Sequence, residues 1–377
     1  MKYYVIAGEA SGDLHGSNLL KELKRLDPGA QFRCWGGDLM QAQGAELVKH
    51  YRELAFMGFT EVLLNLRTIL RNIDRCKQDI AQWKPDCVIL IDYPGFNLRI
   101  AGFVKSLGIK VFYYISPQIW AWKESRVHKI KQVVDRMFVI LPFEEAFYSK
   151  YDYKVDFVGH PLLDAIASYP ETFGSGALDL PADERKLIAL LPGSRKQEIG
   201  TMLPLMLACA ARFPQFRFAV AGAPSVPASF YKEHIAGRDV AIVYNQTYAL
   251  LGRAHAALVT SGTATLETAL FGVPEVVCYK GGAISYMIAK RLVKVKYISL
   301  VNLVMDREVV KELIQYELTA ENLTRELRRI VEPAPGESAA GNVRGKILDE
   351  YAELKKKLGG SGASAKTAAL MIAYLRN

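Results

Sequence analysis

The chain has 377 residues, above the usual size of a single hydrophobic core, so two domains are the expectation. Hydrophobic residues make up 50% and charged residues 23%, which excludes a long disordered tract. The net charge of +9 suits an anionic partner, whether a phosphorylated substrate, a membrane surface or nucleic acid, and does not choose among them.

Cys34, Cys76, Cys87, Cys209 and Cys278 are scattered and form no C-x-x-C pair, which points to reduced thiols in a cytosolic compartment rather than a disulfide framework. The N-terminal KYYVIAGEAS meets Glu9 too soon for a signal peptide. No apolar run reaches about 18 residues, so no transmembrane helix is expected and any membrane contact would be peripheral.

In chain order, strands are predicted at residues 3–7, 32–35, 87–91, 111–115, 137–141 and 155–158, with helical periods at 14–26, 61–83 and 98–107. Such alternation argues for a parallel sheet covered on both faces. A Pro/Gly/Ser-rich stretch at 170–183 leads into a second series with strands at 187–191, 216–221, 241–244, 257–259 and 276–278. The domains are therefore placed at 1–165 and 166–345, with Gly159-His160-Pro161 as a hinge entrance. Beyond Tyr297 the pattern reads as helices at 308–313, 320–331, 343–358 and 365–375. Residues 346–377 form a helical tail that packs back on a sheet or on a partner subunit.

The first loop, IAGEASGDLHG, carries Gly8, Gly12 and Gly16, a spacing that is not the G-x-G-x-x-G of dinucleotide enzymes. Ser11 or Asp13 reads as the N-cap of the first helix. Two loop-bearing halves suggest an enzyme that holds an activated donor in one half and an acceptor in the other, and Gly8, Ser11, Gly12, Asp13 and His15 are candidates for acceptor contact, His15 as a second acid–base group. Asp92, at the mouth of the apolar strand 87–91 and held by the Pro94-Gly95 turn, is the candidate general base, since desolvation raises a carboxyl pKa. The alternative is an Asp capping the helix that starts near Asn97.

In the second half, Gly193-Ser194-Arg195 offers close backbone approach and a guanidinium for phosphate oxygens. Ser261-Gly262-Thr263 opens a helix whose N–H groups suit a diphosphate. Glu267, one turn further, could accept from two ribose hydroxyls, and Thr265 and Tyr279 join this donor-binding set. The six histidines are dispersed and no D-x-D pair occurs, so no metal or other cofactor is expected. Arg195 and helix N-termini would neutralise the leaving group instead.

The helix at 61–83 has an apolar face of Val62, Leu63, Leu66, Ile69, Leu70 and Ile73, flanked by Arg67, Arg71 and Arg75. A buried cover helix and a membrane-surface helix both fit this pattern. Phe56, Met57 and Phe59 before it, and Lys290, Arg291, Lys294 and Lys296 elsewhere, fit contact with an anionic membrane.

Over nearly its whole length the chain resembles the lipid-A-disaccharide synthase family. The resemblance lies in AGEASGDLHG (7–16), LAFMGFTEVL (54–63), KPDCVILIDYPGFN (84–97), YISPQIWAWKESRVHKI (114–130), LPFEEAFYSKY (141–151), FVGHPL (157–162), LLPGSRKQEI (190–199), TSGTATLE (260–267) and AKRLVKVKYISLVNLV (289–304). It implies an α/β GT-B fold, two Rossmann-like parallel-sheet domains facing across a cleft, with the helical tail returning to the first. It also implies a metal-independent, inverting transfer from UDP-2,3-diacylglucosamine to 2,3-diacylglucosamine 1-phosphate (lipid X), giving the β-1,6-linked disaccharide 1-phosphate and UDP. Asp92 falls on the family's proposed base, Arg195 on its diphosphate-facing arginine, and Asn302 on the asparagine near the nucleotide. Ser261, Gly262, Thr263 and Glu267 fall on its UDP loop. The implied setting is the cytoplasmic face of the inner membrane, with a homodimer through the C-terminal helices and no nucleic-acid partner. Two departures stand out: Gly95 where the family often has a second acid, and Gly37-Asp38-Leu39-Met40 where many relatives carry an arginine. A UDP-N-acetylglucosamine 2-epimerase-like enzyme and a non-catalytic acyl-lipid-binding protein are the alternatives.

Overall fold

The computed structural model describes residues 1–54, 66–173, 178–282, 295–332 and 342–376, which form two units. The first comprises Met1–Ser168 and Leu358–Asn377, the second Tyr169–Lys357.

The first unit runs β1 (Lys2–Ala7), α1 (Ala10–Leu26), β2 (Gln31–Gly36), α2 (Asp38–Ala42), β3 (Glu46–His50), α3 (Leu66–Trp83), β4 (Cys87–Ile91), α4 (Pro94–Ser106), β5 (Lys110–Tyr114), α5 (Ile119–Trp122), α6 (Arg126–Val133), β6 (Arg136–Val139), α7 (Phe143–Ser149), β7 (Asp156–Phe157) and the first part of α8 (Leu162–Phe173), whose residues from Tyr169 on belong to the second unit. Its sheet is parallel, in the order β3-β2-β1-β4-β5-β6-β7. β4 is buried at every position, as a strand covered on both faces must be. From β1 the chain builds outward to β3, then crosses to place β4 on the other side of β1. That reversal of winding is where an open α/β sheet leaves a crevice at its carboxyl edge.

The second unit continues β8 (Leu187–Leu191), α9 (Lys196–Ala210), β9 (Arg217–Gly222), α10 (Ala228–Ile235), β10 (Val240–Tyr244), α11 (Thr247–Arg253), β11 (Ala254–Thr260), α12 (Thr263–Leu270), β12 (Glu275–Tyr279), α13 (Leu300–Met305), β13 (Lys311–Ile314), α14 (Ala320–Val331) and α15 (Val343–Lys357). Its parallel sheet has the order β10-β9-β8-β11-β12-β13. Here the winding reverses between β8 and β11.

The helix expected at 308–313 is instead the edge strand β13. Glu312, a charged residue in a four-residue strand, hides the strand pattern. Its buried carboxylate accepts the Ile298 and Ser299 amides at 2.9 and 3.0 Å, so the charge serves the interior rather than solvent.

The last helix, α16 (Ala363–Arg376), packs along α1, while α15 remains with the second unit. Asp164 caps α16 by accepting the Gly362 and Ser364 amides. The Arg136 guanidinium lies 4.0 Å over the Tyr374 ring, and the Tyr374 hydroxyl donates to Asp156 at 3.1 Å. The 159–161 turn is fastened to the same returning segment, the His160 amide donating to the Leu358 carbonyl at 2.9 Å.

Candidate active site

Because Ala7 pairs with Ile91 and Ile91 with Tyr114, the segments after β1, β4 and β5 leave the first sheet side by side. Asp92 and Tyr93 follow β4 with φ of 44° and 47°, a left-handed pair without glycine. Such a backbone costs about 1–3 kcal/mol per residue and persists only where its surroundings over-determine it. Here the Asn97 side-chain amide donates to the carbonyls of Ile91 and Asp92 at 3.3 and 2.8 Å, and the Tyr113 hydroxyl donates to the Asp92 carbonyl. The Asp92 amide donates to the Tyr114 carbonyl at 3.2 Å. Gly8 lies under the Tyr93 ring, where a Cβ would come within 2.4 Å of it.

Helix α4 starts at Pro94 with Tyr93 as its N-cap, so Asp92 stands outside the cap and its carboxyl is not the helix cap considered from sequence. Burial, followed by the negative charge of Glu9, raises the Asp92 pKa to about 6, partly offset by the Tyr93 amide. A carboxyl poised there accepts a proton near neutral pH better than an ordinary aspartate. Glu9 is the residue sequence reasoning missed: it lies after β1 and reaches Asp92 only because β1 and β4 are neighbours.

Several first-loop expectations are corrected. Helix α1 is capped at Glu9, so neither Ser11 nor Asp13 is its N-cap. Asp13 is buried and accepts the amides of Gly37, Leu39 and Met40 at 2.8, 3.1 and 3.1 Å, pinning the start of α2 rather than a ligand. Gly12 permits close packing on Ala7, and Gly16 on the Met40 sulfur. His15 is enclosed in the interior near Asp164 and His160, and burial lowers its pKa to about 4. A neutral, enclosed imidazole is no second acid–base group. Ser11 is exposed on the first turn of α1.

In the second unit, Leu191 of β8 pairs with Val259 of β11, and Thr260 with Cys278 of β12. The 193–195 and 261–263 loops therefore flank that sheet's reversal point. Gly193 takes φ 116°, a conformation open to glycine, and a Cβ there would strike Glu198. Glu198 folds back to accept the Ser194 amide at 3.2 Å and the Arg195 guanidinium at 3.0 Å. Arg195 is the N-cap of α9, and its side chain is 57% exposed. Gly262, the N-cap of α12, has φ 155° and ψ −163°, and Thr263 beside it is exposed. Ser261 donates its amide to the Cys278 carbonyl at 2.9 Å and its hydroxyl to the Ile298 carbonyl at 3.0 Å, which fixes the loop. Glu267 is raised in pKa by burial, and one of its oxygens accepts the Tyr248 hydroxyl at 3.0 Å. Tyr279 ends β12 half-buried.

Two donor-set residues are structural. Thr265 is fully buried, its hydroxyl donating back to the Gly262 carbonyl at 2.9 Å. The Asn302 side chain is likewise enclosed. It donates to the Val310 carbonyl and Glu312 at 2.8 and 2.9 Å and accepts the amides of Val309 and Val310 at 2.8 and 3.0 Å. Its hydrogen-bonding capacity is filled without a nucleotide.

On α3, Ile73 is 4% exposed and faces the core with Cys76 and Ile80, which removes it from the membrane-contact set. Ile69 is half-buried; Leu70, 48% exposed, lies among Arg67, Arg71, Asp74 and Arg75. Val62, Leu63, the Leu66 side chain, Phe56, Met57, Phe59, Lys290, Arg291 and Lys294 lie outside the described residues. Lys296 pairs with Asp306 at 3.3 Å. Among the described residues, no cluster of His, Cys, Asp and Glu is placed to hold a metal, and no helix is long and apolar enough to cross a membrane.

The family model for lipid-A-disaccharide synthetase matches residues 3–348. The lipid-A-disaccharide synthase of Syntrophus aciditrophicus is 41% identical over 99% of this chain and 97% of its own length. That of Geobacter metallireducens is 40% identical over 98% and 96%. Among solved structures, the UDP-GlcNAc 2-epimerase of Neisseria meningitidis bound to UDP-GlcNAc superposes with TM-score 0.69 at 14% identity, covering 100% of both chains. The glycotransferase of kitacinnamycin superposes with TM-score 0.66 at 15% identity, covering 99% of both. At those identities the structures share the two-sheet GT-B fold, while the sequence relatives decide the family. This chain belongs to the lipid-A-disaccharide synthase family, glycosyltransferases of lipid A biosynthesis.

Proposed function

We propose that the enzyme condenses UDP-2,3-diacylglucosamine with lipid X, and that Asp92 is the general base. The observation that carries this reading is a carboxyl at the reversal point of the first sheet, outside any helix cap, with its pKa raised to about 6. Asp92 takes the proton of the acceptor 6-hydroxyl as that oxygen bonds to the anomeric carbon of the donor. The bond from that carbon to the UDP oxygen breaks on the opposite face, its electron pair leaving with UDP, so the configuration inverts. The amides at the start of α12, those of Gly262 and Thr263, and the Arg195 guanidinium offset the charge growing on UDP. The second Glu267 oxygen is suited to a ribose hydroxyl. This reading requires no metal or other cofactor.

The exposed Leu70 bordered by Arg67 and Arg71 supports peripheral contact with an anionic membrane at the cytoplasmic face. A homodimer would form if α16 docked on α1 of a second copy as it does on its own. Incubating the purified protein with acylated donor and acceptor, and following the disaccharide by mass spectrometry, tests the reaction. UDP release that needs no acylated acceptor would favour an epimerase-like activity instead.

A further inference from the structure

The SPQIWAW motif has no role in the chemistry so far, yet it leaves the sheet next to Asp92. Ile115, the first residue after β5, has φ 65°, a rare backbone for a β-branched side chain and one that clusters at functional sites. The segment is anchored from below. The Ser116 and Tyr148 hydroxyls are 2.7 Å apart, and the buried Trp120 ring stands edge-on to Phe143 at 4.9 Å. Above these anchors Trp122 is 51% exposed. The Arg126 guanidinium lies 5.1 Å and the Lys123 ammonium 5.9 Å from the centre of its ring. Among the described residues neither cation pairs with a carboxylate, and Glu124 between them accepts the Tyr151 hydroxyl at 2.8 Å. The 37–40 turn offers no such cation: its charged residue is Asp38, paired with Arg52 at 3.2 Å.

We propose that Trp122, Lys123 and Arg126 form the acceptor subsite, the indole face lying against the sugar ring and the two cations holding its phosphate monoester. The subsite rests on the reading of Asp92 as the base for that same acceptor. Aromatic contact pre-orients the cations, and a guanidinium can take two phosphate oxygens at once.

The test compares lipid X with its dephosphorylated form at saturating donor. In the Lys123→Ala/Arg126→Ala enzyme, the ratio of kcat/KM for the two acceptors falls by about 10- to 100-fold, the span expected on losing charge-assisted hydrogen bonds. A ratio that stays at the wild-type value overturns the subsite. The base is judged separately by Asp92→Asn, because an active Asp92→Asn enzyme dismisses the base without touching the ratio. In the wild-type protein, acetylation of the Lys123 amine, read by mass spectrometry, should be blocked by lipid X and not by UDP. Equal labelling with either ligand also overturns the proposal.

Discussion

Replacing Glu9 by Gln should shift the pH dependence of transfer without changing the shape of the site. Asp92 is raised from 3.8 to about 6, so its carboxylate form is disfavoured by about 3 kcal/mol, burial contributing most and Glu9 next. A base works only when deprotonated, so kcat/KM for the acceptor should fall about tenfold per unit below that pKa. Glu9→Gln removes the repelling charge and leaves the burial, so the acid limb should move down by about 1 unit at most. At pH 5 that amounts to a rate up to about fivefold above wild type relative to each enzyme's plateau, with no relative gain at pH 8. Initial rates of UDP release from pH 4.5 to 9 read this directly. A limb that stays in place, or moves upward, would refute the coupling between Glu9 and Asp92; a loss of rate uniform across pH would give Glu9 a merely structural role.

Asp13→Ala strips the acceptor from three amides and should lower the stability of the first unit by about 2–4 kcal/mol, read as a shift in urea midpoint. Unchanged stability with a raised acceptor KM would return Asp13 to the site. Glu275 is enclosed near Glu312, and burial and then that neighbour raise its pKa well above 4.5, with the Tyr351 hydroxyl opposing. Its folded pKa exceeds the unfolded one, so its contribution is fully present below about pH 4.5 and is lost as pH rises through the folded value. Glu275→Gln should therefore melt higher than wild type at pH 8, with the gap closing towards pH 4; a gap that does not vary with pH would contradict this. Arg195→Ala should raise the donor KM about tenfold or more and spare the acceptor KM; an unchanged donor KM would remove Arg195 from the diphosphate.

The two parallel sheets were legible because strands covered on both faces must be apolar throughout, as in CVILI and LIALL. Asp92 was legible for the same reason, as the first charged residue after such a run. Thr265, Asn302, Asp13 and His15 were not, because sequence shows a polar side chain without showing whether the fold consumes it. Asp13 is consumed by amides 24 to 27 residues away, and Asn302 by the approach to β13, itself disguised by a buried glutamate. Ile73 turned inward because α3 presents only part of its apolar face to solvent. Glu9 was hidden by topology, since nothing local announces that β1 and β4 are neighbours.

Turnover by Asp92→Asn, measured beside its UDP affinity in a calorimeter, bears most directly on the central claim. Disaccharide formation should fall by about 100- to 10,000-fold while UDP binds as tightly as to wild type. Turnover close to the wild-type rate would contradict it.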